Sequence, residues 1–543
     1  MLMHIYSIYN KPKIMDFIKA MLDTRYKNYD FEYGYEYNLI QKHIPTKTEN
    51  GALSLSTTGN ACVNLFFKLT RDSVENSEFY QWIDDAWKED PLATMRILFQ
   101  GRDCRGGKGD RAPFIKAMTH IYHKYPNWFY ANYSLIPEYG RYLDWFEIMV
   151  EIGSPISCIM ISIAKQLVED CKNMYDGKSV SLLAKWIPSE GKHWDKELKF
   201  TKALCREVFG THKVTPFHRQ RLRKEFLTPL RAYIDLLETK MCQNEWDTIE
   251  FSKVPGVAMH RYKNAFKSHA PIAFEQWIQD VENGKSKVNA STVYPHKLVA
   301  SMLKHANDYS ITEEIRTLFK VADAQWNVLV KEVLQKGTLE NSLVVCDVSG
   351  SMAGIPLEVA IALGLLISTV APPPFQNALI TFSESPTFFD IPSFCKDLYS
   401  KVRAISGMPW GGNTNFQKVF DTILKRALEH KLPKDQMPKK LYVLSDMQFD
   451  EAFRDSNVTN FEMVRAKYAS AGYDMPEIIF WNLRSDTTKD FPVKFDERGV
   501  SLVSGFSPSI LKYFMDGTEL TPLSILQTIL QDTRYAPIQP PLY

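Results

Sequence analysis

The stretch SLVVCDVSGSMAGIPLEVAIALGLLISTV, residues 342–370, decides the fold of the C-terminal part. A buried-type apolar run ends abruptly at Asp347, and two hydroxyls follow at alternate positions, Ser349 and Ser351. A tight glycine-bearing loop then leads to a segment of helical periodicity that begins near Pro356, a residue suited to the first turn of a helix. Four further short apolar runs follow: 378–383, 440–446, 477–483 and 500–505. Helical segments at 355–370, 414–430, 457–471 and 508–515 separate most of them. Continuously apolar strands alternating with helices predict a parallel sheet covered on both faces. The expected unit is a doubly wound α/β domain over residues 341–535, with ligands bound beyond the carboxyl ends of its strands.

Three strand-end features converge on such a position. Asp347, Ser349 and Ser351 close the first run; GMPWGGNTNF (407–416) places Thr414 on a glycine-rich loop before a helix; YVLSDMQFD (442–450) places Asp446 directly after a strand. All five side chains are oxygen donors, which points to a hard cation such as Mg²⁺ rather than zinc or copper. Mg²⁺ prefers six oxygens and keeps some waters. Three hydroxyls and one or two carboxylates supply fewer than six strong bonds and leave the ion undercompensated in charge, so a carboxylate from another molecule can enter an open position. The plainer reading is that Asp347 caps the following helix and the serines satisfy backbone groups.

The order DVSGSM, a threonine after GGN, and LSD after a strand resembles the metal-ion-dependent adhesion site of von Willebrand factor type A domains. The resemblance implies that Ser349, Ser351 and Thr414 ligate through hydroxyls, and that Asp347 and Asp446 act directly or through water.

From about residue 31 to 340 the pattern is helical, with segments such as ACVNLFFKLTR, PFIKAMTHIYHKY and YLDWFEIMVEIG separated by glycine- and proline-bearing breaks. Many short helices predict an α-helical, solenoid-like (HEAT-like) module. Two basic stretches stand out in it. FQGRDCRGGKGDRAPF (99–114) carries Arg102, Arg105, Lys108 and Arg111 among four glycines. It is no Walker-type loop, because Gly101 and Lys108 are too far apart and Gly109 stands where a hydroxyl is required. It is read either as a phosphate-gripping loop or as a turn neutralised by Asp103 and Asp110. TPFHRQRLRKEF (215–226) puts Arg219, Arg221, Arg223 and Lys224 on a helix at neighbour spacing, where RNA, or acids such as Glu225, would offset the crowding.

Composition bounds the rest. Charged residues are 24% and apolar ones 45%, the balance of an ordinary globular protein. The net charge of +2 hides an asymmetry: 19 Lys and Arg face 22 acids from residue 341 onward, against 46 and 41 before it. Eight scattered cysteines without a CxxC pair argue against a zinc site and suit a reducing, intracellular compartment. No signal-peptide pattern opens the chain. His120, His123, His193, His260 and His269 lack zinc-type partners and read as structural. No GxSxG, HExxH or kinase signature occurs.

LFQGRDCRGGKGDR, LIPEYGRYLDWFEI, KVNASTVYPHKLV and DVSGSM together resemble a family of plant, fungal and large-DNA-virus proteins that joins a helical module to a C-terminal type A domain. More distantly they are similar to the Ro autoantigen (TROVE-module) proteins, whose helical ring binds small structured RNAs. The likeness implies that GRYLDW (140–145) is a packing signature and that the basic stretches face RNA. The expectation is therefore a non-enzymatic, two-part chain: an extension at 1–30, a helical TROVE-like module at 31–340, the α/β domain at 341–535, and a Pro-rich tail at 536–543 that can fold back on the helices. Its expected function is RNA binding with a Mg²⁺-dependent site for a partner carboxylate. The alternatives are a protein scaffold without RNA, and a Mg²⁺-dependent phosphotransferase or nuclease.

Overall fold

The apolar runs become strands because both of their faces are covered. The computed structural model describes residues 45–48, 53–382, 386–408, 416–449, 460–486, 490–515 and 520–542. The strands are β1 (Pro45–Lys47), β2 (Leu53–Leu55), β3 (Ser342–Asp347), β4 (Ala378–Phe382), β5 (Phe388–Asp390), β6 (Lys440–Ser445), β7 (Glu477–Asn482) and β8 (Val500–Ser504). β1 and β2 pair with each other; the other six form one sheet in the order β5-β4-β3-β6-β7-β8. All pairings in that sheet are parallel except β4 with β5. Every residue of β3 and β8 is buried, the condition under which a strand reads as an unbroken hydrophobic run.

The helix Ile355–Val370 shows why its sequence is apolar all round. It lies against β3 and β6, and against the helix Pro295–Leu303 of the N-terminal part. From Val359 onward nearly every residue is buried, so that stretch has no polar face to keep. Gly364 allows the close approach, since a Cβ there would lie 2.2 Å from the Cys346 sulfur.

The N-terminal part is helical. The helices Ala61–Lys68, Phe79–Glu89, Pro91–Arg102 and Ala112–Lys124 pack in succession, and Glu313–Leu334, the longest helix among the described residues, is capped by Thr312. One continuous apolar core runs through both parts, with a smaller one around Phe251, Phe266, Phe274 and Trp277. The described residues all fall within one unit, His43–Tyr543; the 1–30 extension and residues 31–44 lie outside them.

Three details differ from the sequence reading. The sheet is mixed, because the three-residue β5 adds an antiparallel edge. Residues Pro508–Phe514 form a 3₁₀ helix. Pro522–Leu530 is a further α-helix, opened by a capping box at Thr521. The tail does return to the helical part: Asn132 donates to the Gln539 carbonyl at 2.9 Å and accepts its N–H at 3.0 Å. All eight cysteines are free thiols. Among the described residues no helix is long and apolar enough to cross a membrane.

Candidate metal centre

The chain leaves β3 toward β4 on one side of the sheet and returns to β6 on the other, and it is at such a reversal of strand order that sheets of this kind hold their ligands. β3 and β6 run parallel with Cys346 opposite Leu444. Continued one step, that register brings Asp347 beside Ser445, with Asp446 the next residue after the end of β6; the two carboxylates are close enough to feel each other's charge, and both are buried.

Their oxygens are held by short local bonds. The Ser349 N–H donates to Asp347 Oδ1 at 2.9 Å, and the Ser445 hydroxyl donates to Oδ2 at 2.6 Å. The Ser349 and Ser351 hydroxyls lie 3.0 Å apart, and Ser351 hydrogen-bonds the Asp446 carboxylate. The Gln448 N–H donates to Asp446 Oδ1 at 3.1 Å. A left-handed turn at Met447 (φ 66°) makes that return possible, and the Met447 N–H is fixed on the Ser445 oxygen at 3.1 Å. Asp347, Ser349, Ser351 and Asp446 are thus one hydrogen-bonded chain. Thr414 lies outside the described residues.

The electrostatics favour a cation. Burial, reinforced by the charge of Asp446, pushes the Asp347 carboxyl up to about 7, although the Ser445 and Ser349 bonds work against the shift. Burial also raises Asp446, opposed by Ser351, by the Gln448 amide and by Arg484. Two like charges withdrawn from water destabilise each other unless a proton or a cation separates them. Arg484 supplies part of that charge from the rim. Its Nη1 donates to the Ser351 carbonyl at 2.6 Å, while Nε and Nη2 grip Asp486 at 2.7 and 2.9 Å. Among the described residues no group of three or more His, Cys, Asp or Glu side chains is placed to hold a metal. Two carboxylates and hydroxyls suit a hard, partly hydrated cation and no soft one.

Sequence reasoning passed over Ser445 and Arg484. Both carried a signal: Ser445 directly precedes Asp446, and Arg484 follows the neighbouring parallel strand β7 at its carboxyl end.

The basic stretches are placed differently from the reading that faces them to RNA. Arg102 is buried against Asp144, with Nε–Oδ2 2.7 Å and Nη2–Oδ1 3.2 Å. Lys108 is buried too; its Nζ donates to the Phe66 and Leu69 carbonyls at 2.5 and 2.9 Å and to the Ser504 hydroxyl at 2.7 Å. Burial lowers it to about 7, against the pull of Asp110. Neither side chain can meet a phosphate, because each is buried and held on interior partners. Arg105 donates to the Glu138 carbonyl and Arg111 pairs with Glu147. In the second stretch the helix Pro216–Arg221 runs into a π-helical turn, Leu222–Leu227. There Arg219 pairs with Glu190 at 2.9 Å and Arg221 with Glu225 at 2.8 Å, which relieves the crowding, while Arg223 and Lys224 are exposed.

Comparison with known proteins places the two parts in families. A domain of unknown function, DUF2828, matches residues 48–140 and 158–339, and a second, DUF7788, matches residues 341–531. An uncharacterised protein of Acanthamoeba polyphaga mimivirus, L728, is 32% identical over 517 residues, covering 89% of this chain and 87% of its own. The crystal structure of the Deinococcus radiodurans Ro (RSR) protein aligns over 84% of this chain and 93% of its own, at 14% identity and a TM-score of 0.38.

Proposed function

The chain belongs to the DUF2828 family, and from that premise we propose that it is a non-enzymatic binding protein with a cation-dependent docking site. Asp347, Ser349, Ser351 and Asp446, joined by Thr414, hold one hard divalent cation, Mg²⁺ in the cell. The α/β domain acts in the manner of a von Willebrand type A domain. An open position on the ion takes a carboxylate from a partner protein. The observation that carries this reading is the hydrogen-bonded chain Asp347–Ser349–Ser351–Asp446 laid over two buried carboxylates at the β3/β6 reversal. The test is capture of proteins from the host lysate on the immobilised full chain. Partners bound in Mg²⁺ are expected to elute with EDTA and to be absent from an Asp347→Ala column. Capture that ignores EDTA would end the reading. A phosphotransferase or nuclease would instead show Mg²⁺-dependent turnover lost in Asp347→Ala.

RNA binding is a second reading, and one feature favours it. Arg223 and Lys224 are exposed on the same helical run as the exposed Phe217, a charge-plus-aromatic set that suits single-stranded bases. The double variant R223E/K224E is then expected to weaken retention of a structured RNA probe at least tenfold. It should also reduce the slope of log K against log salt by roughly 1.4–1.8, the share of two phosphate contacts. Equal retention by variant and wild type would remove RNA from this face.

A further inference from the structure

The segment Asn482–Asp486 touches both the helical part and the cation loop. At its start the Asn482 amide donates to the Phe67 carbonyl of the helix Ala61–Lys68 at 3.2 Å and to the Ser485 hydroxyl at 2.8 Å. Asn482 also accepts the Arg484 N–H at 3.0 Å. In its middle the Ser485 N–H donates to the Asp72 carboxylate at 3.2 and 3.3 Å. The Asn76 amide donates to the Ser485 and Asp486 carbonyls at 3.4 and 3.2 Å. On the other side Leu483 donates to the Ser445 carbonyl at 3.0 Å, and Ser445 in turn holds Asp347. Arg484 reaches across to the Ser351 carbonyl with its plane locked by Asp486.

We infer that this segment is a strut coupling the helical part to the cation site, and that Arg484 is a positioning residue for Ser351. The inference rests on the cation reading proposed above and adds a regulator to it. Arg484 grips the backbone of Ser351 and leaves its hydroxyl to the site. The guanidinium is a planar fork, so its two bonds to Asp486 fix the direction in which Nη1 points. Asp486 is itself fixed through its carbonyl by Asn76, which belongs to the helical part. Anything that shifts residues 72–76 therefore shifts the loop that carries two of the proposed ligands. By reciprocity, cation binding tightens the hold on residues 72–76. A partner seated on that part of the helical surface would raise or lower cation affinity without touching a ligand atom.

The test uses the full chain with Mn²⁺ as the probe, titrated by calorimetry, alongside hydrogen exchange in EDTA. Arg484→Lys keeps the charge but cannot hold Asp486 at two points and Ser351 together. Asn76→Ala removes a neutral anchor whose side-chain hydrogen bonds go to Ser485, Asp486 and Glu78, none of them a proposed ligand. Outer-shell partners of metal ligands typically change affinity about 10–100-fold. Arg484→Lys is expected to weaken Mn²⁺ at least tenfold, and Asn76→Ala about fivefold. In EDTA both variants are expected to speed amide exchange over residues 349–353 about tenfold, with the 101–110 loop unchanged. Wild-type exchange at 349–353 in both variants would overturn the strut, whatever the metal does. Arg484→Lys with wild-type Mn²⁺ affinity would show that only the charge matters and would overturn the positioning role. Wild-type protein that binds no Mn²⁺ at all, with faster exchange in the variants, would leave the strut standing and sink the cation reading instead.

Discussion

Asp347→Asn is expected to abolish the divalent-cation response that the proposed site entails, while leaving the metal-free fold intact. The amide is nearly the same shape as the carboxyl. Its oxygen still accepts the Ser349 N–H, and its NH₂ can donate to the Ser445 oxygen, whose hydroxyl is free to rotate. Only the charge is lost, and in the metal-free protein that charge is a liability, because burial and Asp446 raise the Asp347 carboxyl to about 7. The sign follows from linkage. A carboxyl raised from 3.8 binds more protons folded than unfolded across that interval, so its contribution is fully present below about pH 4 and is lost as pH rises through about 7. The variant lacks this component and is expected to match or exceed wild type in EDTA at pH 7.5. With a cation the order reverses. A ligand at a hundred times its Kd stabilises the folded state by about 2.7 kcal/mol. Wild type should show that gain as a raised unfolding midpoint in saturating Mg²⁺ or Mn²⁺, and Asp347→Asn should show none. Scanning calorimetry of both proteins with and without cation decides it; an equal shift in the variant would place the cation elsewhere or nowhere.

The parts of the molecule legible in its sequence are those fixed by local pattern. The five long strands announce themselves because a parallel sheet covered on both faces needs unbroken apolar runs, and Ser342–Asp347 is such a run. Asp347 and Asp446 could be placed together because strand ends in such sheets converge. The edge strand Phe388–Asp390 was not legible; three residues carry no period. The helix Pro522–Leu530 was, in principle, since Thr521 and Pro522 are an ordinary helix opening. What no local pattern reveals is pairing at long range. Lys108 meets Ser504 across 396 residues, and Arg534 meets Asp103 across 431. A basic, glycine-rich loop therefore looks like a phosphate grip until the partners of its cations arrive from elsewhere in the chain: Asp144 for Arg102, Glu147 for Arg111, and the Phe66 and Leu69 carbonyls with Ser504 for Lys108. The glycines at 106 and 107 serve the same packing: a Cβ at Gly107 would lie 2.0 Å from the Gln100 carbonyl oxygen.

The strongest consequence of that packing concerns Arg102 and Asp144. Asp144→Ala is expected to cost the fold about 3–5 kcal/mol, the range for stranding one member of a buried ion pair. Arg102 cannot escape by losing its proton, because a guanidinium stays charged in proteins; in the wild type the charge and hydrogen bonds of Asp144 offset the cost of burying it and hold it above its ordinary value. Nor can it turn to water, with 3% of its side chain exposed and none of Asp144's. Asp144 has a second duty, accepting the Arg141 N–H at 3.1 Å at the start of the helix Tyr142–Ile152. Asp144→Asn keeps that acceptor and isolates the charge, so it should cost less than alanine. The double variant R102M/D144N should be less destabilised than the sum of its parts, because no charge is then left unpaired. Gly140→Ala offers an independent route to the same damage. Its Cβ would lie 1.9 Å from Asp144 Oδ2 and 2.9 Å from Arg102 Nε, so it would break the pair while leaving both residues in the chain. Urea unfolding followed by circular dichroism measures all four. A loss under about 1 kcal/mol in Asp144→Ala, the scale of an exposed pair, would mean that Arg102 reaches solvent after all and would return the 99–114 loop to the list of phosphate-binding surfaces.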